Sequence, residues 1–496
     1  MGFKSDREFL RNVSIGAIGT RAIASILRRG GFRIIELERY CSSNKIWATK
    51  IKRLRVPDLL CLKSGIRIEC RAKAHLKITM SHSVNNPARA WDTGLRDADL
   101  VAFIRCWPSD YSWKPSERVA LFQVGDMRAT QGLAKLERMK SATEGSEVQI
   151  TWPSTVPNRA GVVSIVSTDC IRTALSSGRQ QSYRLSRRSE AGSVTLTPHV
   201  AAGDSFGDGD TILASALPAV ISTSLPDCRQ YDFLSDVECD SAETVYAGVK
   251  ALGYLPDIAG KSRRALTRIM ESSEDARIRL EAAASLARLG CEEGWKSITG
   301  TLAVPDGPVE LRMECALLLA ELPDRRSIAL LRKAMENTSN TSELRAAAAW
   351  GLASVAADAQ SSGLLNQVGD ADEVTALHAI LGIARLLKPN SLASVLRGIG
   401  DNDRRSAGLV RAVLLSRFDF VPEVVRACKK STGKQRQWLL YLLACRGREA
   451  FAQRVGAEAP ELVEELDFFW THQVENWTNR LDVADQIDFL QAQVLD

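Results

Sequence analysis

The chain has 496 residues, 45% of them hydrophobic, and a formal net charge of +6. This length suffices for about three domains and excludes a small scaffold that depends on disulfides. No stretch approaches the roughly 20 uncharged apolar residues needed to cross a bilayer, and residues 1–9 are charged and lack the apolar region of a signal peptide. We therefore expect a cytoplasmic protein with no membrane partner.

The positive charge is concentrated at the N-terminus. Residues 1–120 contain 23 Lys and Arg against 11 Asp and Glu, so the remainder of the chain is net acidic. Such a field favours a polyanionic partner, with nucleic acid as the main candidate, although a basic face is often only a solubilising surface.

The first predicted elements are a helix and two short strands. The segment 6–29 is amphipathic and should form a helix that ends at the glycine pair 30–31. Segments 32–39 and 45–52 have β character and are separated by a polar bend.

A buried hairpin is predicted next. Residues 56–62 are almost continuously apolar, as in a strand covered on both faces. A turn at 63–65 leads into 66–73, where apolar and charged residues alternate. A helix at 85–95 and a strand at 99–104 should follow.

The alternating strand places its charges on one face. Arg67, Glu69, Arg71 and Lys73 should share that face. Across the hairpin, Asp58 should lie near Glu69. Two carboxylates of this kind can hold Mg²⁺ through oxygen ligands, and the cation would then activate a water against a phosphodiester.

These residues resemble the PD-(D/E)xK nuclease superfamily. The signature is Pro57-Asp58, ten intervening residues, then Glu69-Cys70-Arg71. The resemblance covers about the first 130 residues and implies a restriction-endonuclease-like α/β core. It also implies that Asp58, Glu69 and the backbone carbonyl of Cys70 bind Mg²⁺ or Mn²⁺. Arg71 occupies the usual lysine position and cannot act as a base, so Lys73 is expected to supply the missing ammonium.

Other cations near this motif are candidate phosphate contacts. A basic run precedes Asp58, and two arginines follow the hairpin, so that these residues should line a nucleic-acid groove. The residues are Lys50, Lys52, Arg53, Arg55, Arg89 and Arg96.

The rest of the chain divides into three regions. Residues 131–238 are rich in Ser, Thr, Gly and Val and predict a β-rich middle domain or connector. In residues 239–455, Arg279, Arg312 and Arg345 recur at a spacing of 33, each followed by a helical face of small and large apolar residues.

This pattern resembles HEAT repeats and implies an α-solenoid. Residues 456–496 are acidic and aromatic and should form a C-terminal cap. The predicted fold is therefore an α+β multi-domain protein with a nuclease-like domain at 1–130.

Three functions are compatible with these features. The leading hypothesis is a Mg²⁺-dependent DNA endonuclease whose solenoid recognises nucleic acid or a protein partner, by analogy in prokaryotic anti-phage defence. The alternative is a non-catalytic nucleic-acid-binding scaffold with a degenerate nuclease fold. A third is a pure protein-interaction scaffold. The sequence does not separate DNA from RNA, and it leaves oligomerisation open.

Overall fold

A computed structural model describes residues 7–37, 54–83, 85–86, 90–109, 112–138, 147–189, 192–207, 210–218, 230–359, 363–416, 419–445 and 459–471. The chain divides into two compact units. One is built from residues 12–40 and 53–268, and the other includes residues 269–496. A β-rich N-terminal and middle region is followed by a helical C-terminal region, which confirms the predicted α+β class. None of the described helices is both long and apolar enough to cross a membrane.

The first unit is built around a mixed six-stranded sheet. Its strand order is β1-β2-β3-β5-β6, with β7 pairing with β5. Strands β1, β2 and β3 are antiparallel neighbours, whereas β5 runs parallel to β3. The elements are α1 (Arg7–Arg29), β1 (Ile34–Glu36), β2 (Leu59–Cys61), β3 (Arg67–Lys73), β4 (Thr79–Ser83), β5 (Leu100–Ser109), β6 (Ser112–Pro115), β7 (Ala120–Gln123) and α2 (Val124–Ala129).

Both faces of this sheet are covered by apolar side chains. Helix α1 packs on the face that carries Ile68, Cys70 and Ala102. The opposite face, which carries Val101 and Phe103, packs against a second cluster that includes tryptophans from outside the sheet. The charged positions of β3 therefore do not form a fully exposed face.

Parts of the predicted order differ from the structure. The predicted strand at 45–52 lies outside the described residues. The predicted helix at 85–95 is wrong for its described residues beyond 89, because 90–95 form turns rather than a helix. In its place β4 follows β3 and belongs to a separate sheet, β4-β9-β8, formed with β8 (Lys135–Arg138) and β9 (Glu147–Thr151). The segment beyond residue 130 thus shares a sheet with the N-terminal region.

The middle region is a small β-structure with its own core. Strands β13-β12-β11-β17 form one sheet, β10-β18-β16 a second, and β14 and β15 a hairpin. Alternate residues such as Ile171, Tyr183 and Phe206 are buried together in its core. The strands are β10 (Ser154–Thr155), β11 (Gly161–Val166), β12 (Cys170–Leu175), β13 (Gln180–Arg184), β14 (Ser186–Ser189), β15 (Gly192–Thr195), β16 (Thr197–Pro198), β17 (Ser205–Phe206) and β18 (Ala214–Ser215).

Helices make up the described chain from residue 233 onward. The first unit ends with α3 (Phe233–Asp236), α4 (Ala242–Leu252) and the start of α5 (Lys261–Ser272). The remainder are α6 (Ala276–Arg288), α7 (Glu292–Ala303), α8 (Val309–Leu319), α9 (Arg325–Glu336), α10 (Ser342–Val355), α11 (Glu373–Leu386), α12 (Pro389–Arg397), α13 (Asp403–Leu414), α14 (Val421–Lys430), α15 (Gly433–Ala444) and α16 (Glu461–Thr471).

These helices of the second unit stack in two rows. Helices α6, α8, α10, α11, α13 and α15 contact one another in succession, while α7, α9, α12 and α14 pack beside them. The small residues of the repeat are buried in the first row, where alanines allow helices to approach closely. The stacked organisation agrees with the helical period of the sequence.

Two of the repeated arginines make the same contact. Arg312 Nε donates to the carbonyl of Leu302 at 3.1 Å, and Arg345 Nε donates to that of Met335 at 2.8 Å. Both acceptors lie ten residues upstream, in the last turn of the preceding helix, where carbonyls have no partner within the helix. Arg345 also pairs with Asp370 at 2.5 Å. Each arginine thus ties a helix end to the following repeat.

Candidate functional site

The hairpin of β2 and β3 brings the two predicted carboxylates to neighbouring strands. Leu59 pairs with Ile68, and continuing this register by one residue places Asp58 opposite Glu69. The Asp58 backbone carbonyl accepts from the N–H of Leu37 at 2.8 Å, which extends the ladder to β1. Residues directly opposite in an antiparallel pair share a face of the sheet. The extended register therefore puts Asp58 and Glu69 on one face of the hairpin.

The Asp58 carboxylate is fixed by the backbone of β3. Its Oδ2 accepts from the N–H of Cys70 at 2.6 Å, and the residue is only 8% exposed. A hydrogen bond from a buried amide orients the carboxylate without neutralising it. The Asp58 carboxylate is thus a potential metal ligand held in one orientation, and not a mobile acid on the surface.

The Cys70 side chain points away from this site, toward α1. Burial, followed by the charges of Asp58 and Glu69, raises the pKa of its thiol well above the ordinary value, so the thiol stays protonated. The helix lies very close to β3 here, because a Cβ on Gly19 would come within 2.3 Å of the Ala72 Cβ. The Cys70 thiol is therefore not part of the charged face, whereas its backbone N–H reaches that face at Asp58 Oδ2.

Three charged side chains alternate along β3 beyond Asp58. Arg71 Nη2 lies 2.8 Å from Glu69 Oε1, and both side chains are partly exposed. Lys73 is half-buried, and burial together with the neighbouring charge of Arg71 lowers its pKa to about 8. A lysine poised in this way can hold or release a proton near neutral pH.

Strand β5 adds a cation that the sequence analysis missed. Arg105 is the parallel partner of Lys73, and its Nε donates to the carbonyl of Ala74 at 3.2 Å. Trp107 lies two residues further on, with Arg105 and Lys114 each about 6 Å from its ring centroid. The sequence shows only that Arg105 lies in a strand. Its position beside Lys73 follows from the parallel pairing of β5 with β3.

Arg96, a predicted groove cation, is bound to groups of its own chain. Its guanidinium contacts Asp99 at 2.9 Å, the Tyr231 hydroxyl at 2.9 Å and the carbonyl of Gly65. Burial by itself lowers the pKa of Arg96, but the hydrogen bond and charge of Asp99 outweigh it and raise that pKa above its ordinary value. The Arg96 guanidinium thus binds groups of its own chain and links the hairpin turn at Gly65 to Tyr231.

Arg67, the first charged residue of β3, belongs to the same network. Its side chain is 2% exposed, its Nη1 donates to the carbonyl of Gly94, and its Nη2 lies 3.9 Å from Asp236 Oδ2. Burial, and then the charge of Arg96, lowers its pKa. Arg67 is therefore a buried cation at its position on β3, because α3 and the 94–99 loop cover that end of the strand.

The remaining predicted phosphate contacts divide into two groups. Arg55 is described and half-buried, with its backbone carbonyl close to Gly94. The other predicted contacts, Lys50, Lys52, Arg53 and Arg89, lie outside the described residues.

The carboxylate oxygens of this site suit a hard cation whose other ligands come from water and from the substrate. Among the residues that the structure describes, no group of three or more His, Cys, Asp or Glu side chains is placed to hold a metal. Mg²⁺, however, is commonly bound through one or two carboxylates, with waters and phosphate oxygens completing its octahedron. Asp58 and Glu69 fit that role.

Comparisons with known proteins find no protein-family model and no curated protein that matches the chain. A function can therefore be inferred only from the residues and contacts described above.

Proposed function

We propose that this protein is a Mg²⁺- or Mn²⁺-dependent endonuclease that hydrolyses phosphodiester bonds of DNA. The observation that carries the proposal is the placement of Asp58 opposite Glu69, with Asp58 fixed by the Cys70 N–H and Lys73 further along the same strand. The order of elements is also similar to the PD-(D/E)xK core. A helix is followed by three antiparallel strands and by a further strand that is parallel to the third. Two acids and a tuned lysine match the chemistry of phosphodiester hydrolysis.

Each residue then has a defined role. Asp58, Glu69 and the Cys70 carbonyl would hold the cation, which supplies a polarised phosphoryl oxygen and an activated water. Lys73 Nζ, protonated below about pH 8, orients the water and stabilises the charge that grows on the phosphate. Arg71 remains protonated and contributes charge only.

The neighbouring cations bind the substrate. Arg105 beside Lys73, and Lys114 over Trp107, extend the positive charge along the sheet beyond the acids. Arg and Lys contacts to phosphate position a nucleic acid without reading its sequence. DNA is the proposed substrate, because it is the usual substrate of nucleases with this arrangement of residues.

The helical stack is proposed as a HEAT-like recognition surface. Stacked helix pairs of this kind present long surfaces to nucleic acid or a protein partner. A nuclease joined to such an array suggests a place in prokaryotic anti-phage defence, which is an analogy at the level of domain organisation.

A second candidate is a nucleic-acid-binding scaffold that does not cut. It is favoured by the ion pair between Arg71 and Glu69, since a guanidinium there competes with a cation for the carboxylate. In that case the fold would bind DNA through its basic surface, and the helical stack would assemble a larger complex.

A cleavage assay separates these candidates. Wild-type protein, Asp58→Asn and Glu69→Gln are incubated with supercoiled plasmid and with single-stranded DNA in Mg²⁺ or Mn²⁺, and binding is measured separately in chelator. The proposal expects cleavage by the wild type only, with binding retained by all three proteins. Equal activity in all three, or no activity with either metal, would leave the scaffold as the better account.

A further inference from the structure

The middle β-structure carries an excess of arginine that the proposed active site does not use. Residues 154–189 contain six Arg and no Lys, with Asp169 as their one acidic residue. Asp169 lies in the turn between β11 and β12, where its Oδ1 accepts from the Ser167 hydroxyl at 2.6 Å. A run of arginine almost without acids is unusual for a surface that only keeps a protein soluble, because such surfaces mix both signs.

The pairing of strands places two of these arginines on one outward face. Ile171 and Tyr183 are buried in the core, so the alternate residues Arg172 and Arg184 point to solvent, and both are exposed. Arg172 is opposite Ser182, and Arg184 is opposite Cys170, which makes the two arginines diagonal neighbours on adjacent strands. Diagonal neighbours of this kind are roughly 7–8 Å apart.

Two more exposed arginines of this region lie off the outward face. Arg179, in the turn between β12 and β13, accepts through its backbone carbonyl from the N–H of the buried Leu175 at 2.8 Å. Arg159, in the loop before β11, follows Asn158, whose Oδ1 accepts from the hydroxyl of the core residue Tyr183. We call Arg172 and Arg184 the arginine face; both are exposed.

The arginine face forms no ion pair with a carboxylate of the described part of the chain, whereas exposed arginines such as Arg268 and Arg326 each have such a partner. The charge of Arg172 contributes, after the hydrogen bonds of Asp169, to the lowered pKa of that carboxylate. One carboxylate leaves the two arginines with a net positive charge. Guanidinium groups suit phosphate, because their planar donors can bind two of its oxygens at once.

The composition of the face indicates duplex backbone rather than unpaired bases. The aromatic residues of the described part of this sheet, Tyr183 and Phe206, are buried in the core, and its exposed large apolar residues are the aliphatic Val162 and Ile165. Single-strand binding relies on exposed aromatic rings on which bases stack. A face with exposed arginines and buried rings instead suits sequence-independent contacts to phosphates.

We propose that the arginine face binds the phosphate backbone of double-stranded nucleic acid, as a second contact surface in the same compact unit as Asp58 and Glu69. This binding goes beyond the proposed hydrolysis and does not require it. The face would hold a duplex through charge alone, so that a substrate is retained independently of the sequence at the cleavage site.

The test measures binding by the full chain without divalent metal. A short labelled duplex is titrated by fluorescence anisotropy at salt concentrations from about 50 to 200 mM, the range over which phosphate contacts dominate affinity. The double variant Arg172→Gln/Arg184→Gln is compared with Arg268→Gln/Arg326→Gln. The control removes the same charge from exposed arginines that already have carboxylate partners.

The arginine-face variant should bind several-fold more weakly than wild type. It should also lower the slope of log affinity against log salt by about 1.8, or about 0.9 for each phosphate that the protein no longer neutralises. The control should match wild type. The single variants Arg172→Gln and Arg184→Gln should each lower the slope by about 0.9 and serve if the double variant folds poorly.

Three outcomes would overturn the proposal. The first is an unchanged affinity and salt slope in the double variant and in both single variants of the arginine face. The second is a loss confined to single-stranded DNA. The third is a loss of binding to poly-L-glutamate but not to duplex, which would indicate an acidic protein partner. Because no metal is present, a failure here leaves the cleavage assay on Asp58 and Glu69 unaffected.

Discussion

The backbone N–H of Cys70 donates to Asp58 Oδ2 at 2.6 Å, so the proposed metal ligand also completes a buried backbone contact. Asp58→Ala would leave that N–H without its acceptor and should lower the free energy of unfolding by about 1–3 kcal/mol. Asp58→Asn keeps an acceptor oxygen and should retain most of the stability. Both variants should lose cleavage, because alanine provides no ligand oxygen and the asparagine amide is a poor ligand for Mg²⁺.

The comparison of these two variants by thermal denaturation and plasmid cleavage separates structure from chemistry. If Asp58→Asn is stable yet cleaves like wild type, Asp58 is a structural residue and not a metal ligand. If Asp58→Ala is as stable as Asp58→Asn, the hydrogen bond from Cys70 contributes little.

The division of work between Lys73 and Arg71 gives a second prediction. Lys73→Ala should reduce the cleavage rate more than Arg71→Ala, by roughly 100-fold if it removes a donor to the transition state. Arg71→Lys should preserve or raise the rate, because a lysine pairs less rigidly with Glu69 than a guanidinium does. Single-turnover cleavage rates measure the order. The reverse order would make Arg71 the electrostatic stabiliser and Lys73 a phosphate contact.

The lowered pKa of Lys73 predicts a pH dependence of cleavage. Its ammonium is present below about pH 8 and lost above it. The comparison is with Lys73→Arg, whose guanidinium does not titrate in this range. The ratio of wild-type to variant rate should therefore fall as the pH rises through 8. A ratio that rises instead would mean that the neutral amine works as a base.

The repeated arginines predict where the helical stack is vulnerable. Arg345 is 4% exposed and binds the carbonyl of Met335 as well as Asp370. Arg345→Ala should lower the free energy of unfolding by about 2–4 kcal/mol, because it leaves a half-buried carboxylate and a helix-end carbonyl unpaired. Arg426→Ala removes a surface ion pair with Glu423 and should change the free energy of unfolding by less than about 1 kcal/mol.

Thermal denaturation followed by far-ultraviolet circular dichroism compares Arg345→Ala with its control. Equal shifts for the two variants would contradict a structural role for the repeated arginine. The pH offers an independent check. Burial opposes the charge of Asp370, but Arg345 outweighs it and lowers the pKa of that carboxylate. This contribution is present above the ordinary aspartate pKa and is lost as the pH falls through the lowered value.

The sequence by itself determined the elements whose signals are local. The alternation of 66–73 fixed β3, and the spacing of Arg279, Arg312 and Arg345 fixed the period of the helices. The apolar run before Lys63 and the turn at Gly65 fixed a hairpin, which in turn placed Asp58 opposite Glu69. Each of these follows from a side-chain period of two or 3.6 residues, which neighbouring residues set without help from distant parts of the chain.

Only the tertiary structure decided which charges are available to a ligand. Arg67 and Arg96 look like surface cations in the sequence, yet residues more than a hundred positions away, Tyr231 and Asp236, occupy them. Arg105 gained its place beside Lys73 through a parallel pairing that no local pattern encodes. Burial and ion pairing depend on contacts between distant segments, and these appear only when the chain has folded.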